Sequence, residues 1–325
     1  MNNIASSTPT AMNNLRFILV AAALATVGSA AVPTAASAQC PSGQGYDQST
    51  GGCELAVFDR ERGELSPHTQ APTAESLEQM LRTRTAPSTL ASMLEYGERV
   101  ECMACVPLLE RRLIDDNDPT IRELSAWWLR RRPFGFEAIM HDMRGILATD
   151  TDPVHRARAA EAIGEFMDPH GVAHLGTAIM TDGEATVRAA AVRGIARINS
   201  PAGLTFLSAA LGDRDLTVQA AALSVILRVN FFTDSSALMP LLASSDGHLR
   251  RRAANVVGAL RISDAVPVLA AMLRGDVDTS ARQAAAWALG RMGTTESRGA
   301  LVEVRATEHD SLVLDAISSA LARPL

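Results

Sequence analysis

The four cysteines of this sequence, Cys40, Cys53, Cys102 and Cys105, are its residues with the clearest chemical potential. Cys102 and Cys105 form a Cys-x-x-Cys motif, which at a helix N-terminus can lower a thiol pKa and support thiol–disulfide exchange. A redox motif usually adjoins a βαβ pattern, which is absent here. Covalent haem requires histidine after the second cysteine, where this chain has Val106, and zinc requires more ligands. A structural Cys102–Cys105 disulfide is therefore the leading prediction, with a redox function as the alternative.

The remaining cysteines, Cys40 and Cys53, bracket a stretch rich in glycine and serine. Four cysteines allow three pairings, and proximity in the sequence selects Cys40 with Cys53 and Cys102 with Cys105. Disulfides persist in oxidising compartments, so both predicted bonds depend on export of the chain.

Histidines are the next candidates for chemistry. His170 and His174 are four residues apart, a spacing that can bind a metal on one helix face. Residues 168–171, Asp-Pro-His-Gly, predict a turn, so we expect His170 to precede the helix that carries His174 and predict neither a metal site nor a cofactor. His155 occupies an apolar position of the pattern described below, where we expect a half-buried, hydrogen-bonded histidine. No glycine-rich phosphate loop follows a strand, because the sequence shows no convincing strands.

A unit of about a dozen residues recurs along the chain and must position these side chains. In its clearest copy it begins Asp152-Pro153-Val154-His155-Arg156, and successive copies are 31 to 34 residues apart. The arginine position holds, in order, Arg122, Arg156, Arg188, Gln219, Arg250, Arg282 and Leu314. The aspartate position holds Asp118, Asp152, Glu184, Asp215, Asp246, Asp278 and Asp310. Self-similarity at this period indicates a solenoid.

Each copy has the features of a helix start. Aspartate is a good N-cap, and proline suits the first helical turn. With the aspartate counted as position 0, positions 3, 7, 10 and 11 are mostly apolar and share one helical face. Alanines crowd positions 7 and 8, so that a neighbouring helix can approach closely. A shorter helix precedes each unit, as at residues 106–109 and 266–269.

Helix, short turn, helix, in seven copies, resembles the HEAT repeat family in the short bacterial form that is also found in phycobiliprotein lyases. The resemblance covers about residues 104–322. It implies an all-α fold, a right-handed α–α superhelix of about seven helix pairs. In this family the repeat aspartate and arginine commonly bond between neighbouring repeats, and Gln219 and Leu314 depart from that pattern. The structural positions implied are Asp118, Arg122, Asp152, Arg156, Arg188, Asp246, Arg250, Asp278 and Arg282.

The chain divides into four predicted segments. Residues 1–38 are typical of a secretory signal peptide, with Arg16, an apolar core and a small-residue cleavage site ending at Ala38. Residues 39–72 predict a flexible cysteine loop and linker, residues 73–103 two capping helices at 73–83 and 88–97, and residues 104–325 the solenoid. We expect an exported protein, periplasmic or secreted, without a lipid anchor at Cys40. No later run is apolar enough to span a membrane.

Charge argues against nucleic acid as a partner. Removal of residues 1–38 leaves 29 arginines against 36 acidic residues, a net charge of −7. An acidic, exported chain is a poor candidate for nucleic acid binding. The HEAT-like deoxyhypusine hydroxylases carry paired His-Glu dipeptides as iron ligands, and this sequence has no His-Glu, so that activity is rejected.

The leading hypothesis is a non-enzymatic scaffold, with no catalytic residues, that presents a concave groove to a protein partner rather than to a small molecule. The alternative is a maturation or redox factor, either lyase-like or acting through Cys102 and Cys105. In this family the second helix of each pair usually lines the concave side, which implies that exposed positions 2, 5 and 9 face the groove. Those chosen as partner-binding residues are Trp127, Glu161, Arg193, Asn255 and Trp287 at position 9, and Arg251 and Gln283 at position 5.

Two of the three tryptophans, Trp127 and Trp287, fall at position 9. Tryptophan is enriched among binding hot spots, which favours a role in the groove. Alternatively, each tryptophan folds back over adjacent alanines as packing.

Overall fold

The computed structural model describes residues 44–47, 52–55, 72–83, 86–132 and 135–323. These residues belong to one compact unit, Cys40–Leu325. The predicted signal peptide, Cys40 and most of the linker lie outside the described residues. Within the described part of the chain, no helix is both long and apolar enough to cross a membrane.

A short hairpin lies in the segment between the predicted signal peptide and the first helix. Strands β1 (Gln44–Asp47) and β2 (Gly52–Leu55) pair antiparallel, with Gln44 opposite Leu55. This corrects the expectation that the chain has no strands. Strands of four residues are too short for a reliable alternating pattern, and the glycines around them hide the signal. The Cys40–Cys53 disulfide stays a prediction, because Cys40 is not described.

Two helices, α1 (Ala74–Arg82) and α2 (Pro87–Tyr96), lie where capping helices were predicted. Trp128 and Arg132, from the first repeat, bind the segment that follows α2. The Trp128 indole donates to the Gly97 carbonyl at 2.8 Å. The Arg132 guanidinium stacks over the Trp128 ring and donates to the Glu98 and Val100 carbonyls at 2.6 and 2.9 Å. These bonds attach the two N-terminal helices to the solenoid.

Seven antiparallel pairs, called repeats 1 to 7, follow along the chain. Their first and second helices are α3 (Val106–Asp115) and α4 (Pro119–Leu129), α5 (Phe136–Thr149) and α6 (Pro153–Phe166), α7 (Gly171–Thr181) and α8 (Ala185–Ile198), α9 (Leu204–Leu211) and α10 (Leu216–Val225), a 3₁₀ helix (Ser235–Ala243) and α11 (Gly247–Leu260), α12 (Val266–Gly275) and α13 (Thr279–Met292), α14 (Thr295–Arg305) and α15 (Ser311–Leu321). The described residues from 104 onward contain no strand, so the predicted all-α solenoid is confirmed.

Repeat 5 departs from the predicted helix pair, since its first member is 3₁₀ rather than α. Pro240 lies inside this segment. Proline has no N–H to donate and clashes with the preceding turn, which disfavours an α-helix there.

The repeat aspartates begin the second helices as predicted. Asp118, for example, accepts a hydrogen bond from the Thr120 N–H at 2.9 Å. Glu184 makes no such bond, and its helix begins without a side-chain cap. The same capping contact is made by Asp152, Asp215, Asp246, Asp278 and Asp310.

The core lies between the helices of each pair and between neighbouring repeats. Position 11 is fully buried in repeats 1 to 6 and half-buried only at Leu321, in the last repeat. Glycines at position 12 bring successive second helices together. A Cβ on Gly164 of α6 would lie 2.5 Å from the Gly194 Cα of α8, and one on Gly258 of α11 would lie 2.6 Å from the Ala288 Cα of α13. Small residues therefore set the close spacing of the second helices, which line the site described next.

Candidate binding groove

The conserved-looking arginine position connects neighbouring repeats. Arg188 is only 4% exposed, and its Nε and one terminal nitrogen each donate to a carboxylate oxygen of Asp213 at 2.8 Å. Its other terminal nitrogen donates to the Asp182 carbonyl of its own repeat at 3.0 Å. We call the equivalent ion pairs the arginine ladder. They are Arg156–Asp182, Arg188–Asp213, Arg250–Asp276 and Arg282–Glu308.

The ladder corrects the choice of acid that the family resemblance implied. Each arginine binds the acid two residues before the repeat aspartate of the next repeat, at position −2. The repeat aspartates Asp152, Asp246 and Asp278 instead accept N–H groups of their own helices, so their carboxylates are already occupied. Arg282 lies within reach of both kinds of acid, since Asp310 is 3.8 Å away. Arg122 binds Glu161 at 3.1 Å instead of a position −2 acid.

Ion pairing lowers the pKa of the ladder acids. Hydrogen bonds from Arg250 are the largest influence on Asp276 and hold its pKa below its ordinary value, against the effect of burial. For Asp182 and Asp213 burial is the largest single influence and raises the pKa. Hydrogen bonds from Arg156 and Arg188, with backbone N–H groups and the arginine charges, outweigh it and leave the pKa lowered.

A groove of about 650 Å³ crosses the second helices of repeats 1 to 4. Helices α4, α6, α8 and α10 each contribute side chains to it. Its charged lining residues are Arg122, Glu123, Arg158, Glu161, Glu165, Arg193, Arg197 and Arg228. Because all of these side chains project from packed helices, the groove is a rigid, charged surface that extends over four successive repeats.

Every glutamate of the groove has an arginine partner. Glu161 accepts from Arg122 and Arg193, both at 3.1 Å. Arg197 donates to Glu165 at 2.8 Å and to Glu123 at 3.0 Å, and so connects α8 with α6 and α4. Burial raises the pKa of Glu165, Arg197 opposes that rise, and Glu123 adds to it. These pairs fix the positions of the carboxylates and leave none of them free in the groove.

Two arginines of the groove have no carboxylate partner. Arg158 donates to the Ile114 carbonyl and to the Asn117 side-chain oxygen at 2.8 Å, both neutral groups. Arg228 is exposed, and within the described part of the chain it makes no hydrogen bond or ion pair. The groove therefore has more positive charge than its own acids neutralise.

The structure brings two of the predicted partner-binding residues, Glu161 and Arg193, into this groove. The others lie elsewhere. Asn255 is exposed on α11, and Arg251 and Gln283 are half-buried on α11 and α13. Their role in binding stays a prediction.

Trp127 and Trp287 are half-buried against the core and do not line the groove. The Arg131 guanidinium lies over the Trp127 ring at 4.5 Å, and that of Arg291 lies 5.9 Å from the Trp287 ring centroid. The Trp287 ring also packs on Gly258, where an added Cβ would lie 2.9 Å from it. This arrangement favours the packing alternative for Trp287.

The cysteine motif forms a disulfide, as predicted. Cys102 and Cys105 are bonded and are 4% and 0% exposed. The Cys105 N–H also donates to the Cys102 sulfur, at the turn that begins α3. The bond is buried beneath the N-terminal helices, which restricts the approach of a second thiol.

The histidines lie where the sequence placed them. His170 precedes α7, while His174 lies within it, and His170 Nδ1 contacts the Asp168 carboxylate at 2.9 Å. His155 is half-buried, with Nδ1 3.2 Å from Asp150. Burial lowers the pKa of His174, and Arg144 adds to the effect.

Two sets of functional positions were missed in the sequence, and both carry a periodic signal. The position −2 acids are Asp116, Asp150, Asp182, Asp213, Asp276 and Glu308. Position 13 of the second helices holds Arg131, Glu165, Arg197, Arg228, Ala259, Arg291 and Arg323. A search at the repeat period for charge outside the helix start would have found both.

Comparison with solved structures agrees with this architecture. YibA of Escherichia coli has a TM-score of 0.51 at 16% identity, over 77% of this chain and 92% of its own. Kap95p, solved with RanGDP, has a TM-score of 0.57 at 14% identity, over 76% of this chain and 40% of its own. Kap121p bound to Ste12p has a TM-score of 0.56 at 12% identity, over 75% and 32%. At these identities the likeness shows the fold alone.

No curated protein matches the sequence. Residues 142–227 and 235–322 match the family model for HEAT repeats. The two matches cover more than half of the 325 residues and meet near the irregular start of repeat 5. With the helix pairs, the arginine ladder and this match together, the chain belongs to the HEAT repeat family.

Proposed function

We propose that this protein is a non-enzymatic scaffold that binds an extended segment of a partner protein in the groove of repeats 1 to 4. The observation that carries the proposal is the continuity of the groove across four successive second helices. A site for a small molecule is usually a compact pocket with a few convergent polar groups. Charged side chains spread along a series of parallel helices suit an extended chain better.

The competing redox function has less support. Both residues of the Cys102–Cys105 disulfide are buried, whereas thiol exchange requires access of an attacking thiolate to a sulfur. A stabilising role for the bond, at the junction of the N-terminal helices and repeat 1, fits its surroundings. The lyase-like alternative rests on the repeat form alone, and a shared fold does not imply a shared function.

We also propose that the protein acts outside the cytosol. The signal-like residues 1–38 support this, and so does the Cys102–Cys105 disulfide, because such bonds persist mainly in oxidising compartments. Cleavage near Ala38 would leave the hairpin, the N-terminal helices and the solenoid as the mature chain.

Site-specific photo-crosslinking tests the groove directly. Ser224 is exposed at position 9 of repeat 4 and lines the groove, whereas Ser319 is exposed at position 9 of repeat 7 and lies outside it. A benzophenone amino acid at position 224 should crosslink one specific protein in cells, and the same group at position 319 should not. Equal crosslinking from both positions, or none from position 224, would contradict the proposal.

A further inference from the structure

We propose that the groove selects a partner segment rich in acidic side chains. This inference rests on the proposed function and adds the chemistry of the partner. Five arginines and three glutamates line the groove, a surplus of two positive charges in a chain whose net charge is −6. A local surplus of the opposite sign to the whole protein is a feature of the site and not of the composition.

The surplus arginines lie on different helices of the groove. Arg158 on α6 bonds only neutral oxygens, and Arg228 follows α10 at the far end. Neighbouring packed helices are about 8 to 10 Å apart, so the four second helices span about 30 Å. An extended chain advances about 3.3 Å per residue, so about nine residues fill the groove. Such a segment can present acidic side chains to both surplus arginines.

The paired arginines can also take part. The Arg197 and Glu123 side chains are 44% and 56% exposed, and the Arg193 side chain is 49% exposed. Ion pairs between exposed side chains contribute little to stability. A partner carboxylate can therefore join or replace these pairs at little cost to the fold, while the buried ladder arginines remain in place.

The same geometry disfavours nucleic acid as the occupant. A regularly spaced phosphate backbone would meet Glu123, Glu161 and Glu165 along the full length of the groove. Those three carboxylates would repel some of its phosphates, and a binding protein that neutralises many phosphates needs more cations than two. A protein segment can place its acidic residues only where arginines lie.

Fluorescence anisotropy with defined probes tests the inference on the full mature chain. The acidic probe is a labelled peptide of about nine residues with alternating Asp and Thr, matched in length to the groove. The amide probe replaces each Asp with Asn. We expect the acidic probe to bind at least about fivefold more tightly than the amide probe and to lose affinity as salt rises.

Arg228→Gln should reduce binding of the acidic probe about fivefold and leave the amide probe unchanged, because it removes one exposed cation. Its matched control is Arg305→Gln on α14, an exposed arginine outside the groove, which should change neither. Ser224→Trp, which fills the groove, should abolish binding of the acidic probe, and Ser319→Trp should not. Circular dichroism of each variant establishes that it is folded.

The outcomes separate this inference from the proposed function. Equal binding of both probes, with loss of both in Ser224→Trp, would retain a protein-binding groove but overturn its preference for acidic segments. An acidic probe that binds normally to Arg228→Gln would also overturn it. So would a thymidine oligonucleotide of equal charge that binds more tightly than the acidic probe and responds to Arg228→Gln, because the groove would then be a nucleic acid site.

Discussion

Arg188 shows how one side chain holds two repeats. Its guanidinium satisfies the Asp182 and Gly183 carbonyls in its own repeat and the Asp213 carboxylate in the next, and all of these contacts lie in a half-buried setting. Arginine suits this position because its planar group donates in two directions at fixed geometry. The energetic importance of the pair lies in the cost of breaking it, since an unpaired buried charge is strongly destabilising.

Replacement of Asp213 by Asn should therefore destabilise the protein by about 3 kcal/mol, because the buried Arg188 charge loses its partner. Chemical denaturation at neutral pH measures the loss. Asp264→Asn, at an exposed position outside the ladder, is the matched control and should have almost no effect. A loss at Asp213 no larger than that of the control would show that the ladder does not stabilise the repeats.

The pH dependence of the same variant has a definite sign. The folded-state pKa of Asp213 is lowered, so its contribution to stability is fully present above the unfolded pKa of about 3.9. That contribution is lost as the pH falls through the lower folded-state pKa. Thermal melts of the native chain should therefore fall steeply below about pH 4, and the Asp213→Asn variant should show a shallower fall.

Sequence reasoning at the residue scale succeeded for local contacts and failed for distant ones. The caps made by Asp118 and Asp152 depend on N–H groups two residues away, which the sequence shows directly. The Arg156–Asp182 bond joins residues 26 apart, and the inter-repeat spacing that aligns them is a property of the stacked helices. The family resemblance gave the correct kind of contact but the wrong acid.

At the scale of elements, close contact between second helices depends on position 12. Gly164 in α6 meets Gly194 in α8 with no room for a Cβ, whereas Gly145 in the interior of α5 has nothing near it. Both glycines lie within helices, where alanine has the higher helix propensity. The two sites therefore separate the effect of packing from that of propensity.

Gly164→Ala should destabilise the protein by about 1 to 3 kcal/mol, because the added methyl group forces α6 and α8 apart. Gly145→Ala should be neutral or should stabilise it by up to about 1 kcal/mol. Thermal denaturation of both variants measures the difference in sign. A gain in stability at both positions would mean that the two helices do not touch at Gly164.

The helices themselves were predictable because their period is long and regular. The two exceptions have local causes. The hairpin strands Gln44–Asp47 and Gly52–Leu55 are too short to show a pattern, and the 3₁₀ helix of repeat 5 follows from Pro240 within a short apolar run. The period indicates that a helical segment is expected, but it does not distinguish an α-helix from a 3₁₀ helix.

At the scale of the whole molecule, the groove was anticipated on the second helices but not in its chemistry. Glu161 and Arg193 were identified from their position in the repeat. The position 13 residues Arg197 and Arg228 were missed, because an ideal helix drawn from one repeat cannot show which turn faces the next. Trp287 was assigned to the groove as a hot-spot type, yet it packs over Gly258, whose missing side chain leaves space for the ring.

The described residues also show that the solenoid is not uniform along its length. Between repeats 4 and 5 the ladder position holds Gln219, and the position −2 residue opposite is Ser244. Gln219 keeps the bond within its own repeat, from Nε2 to the Asp213 carbonyl at 2.6 Å. Helix α10 ends at Val225, before position 12, where an exposed Leu227 replaces glycine. Two devices that join the other repeats are thus missing here, and repeats of a solenoid are stabilised mainly by their neighbours.

Restoring the missing ion pair should strengthen this junction. Gln219→Arg alone adds a half-buried charge without a partner, and Ser244→Asp alone adds an acid without a cation, so each should lower stability or leave it unchanged. Together they recreate the Arg188–Asp213 arrangement, and we expect a favourable coupling of about 1 to 2 kcal/mol between them. A double-mutant cycle from chemical denaturation measures this coupling. The matched cycle of Arg188→Gln and Asp213→Ser should show a coupling of the same sign one repeat earlier. Additive effects at positions 219 and 244, beside clear coupling at 188 and 213, would mean that repeats 4 and 5 are not stacked in the ladder register.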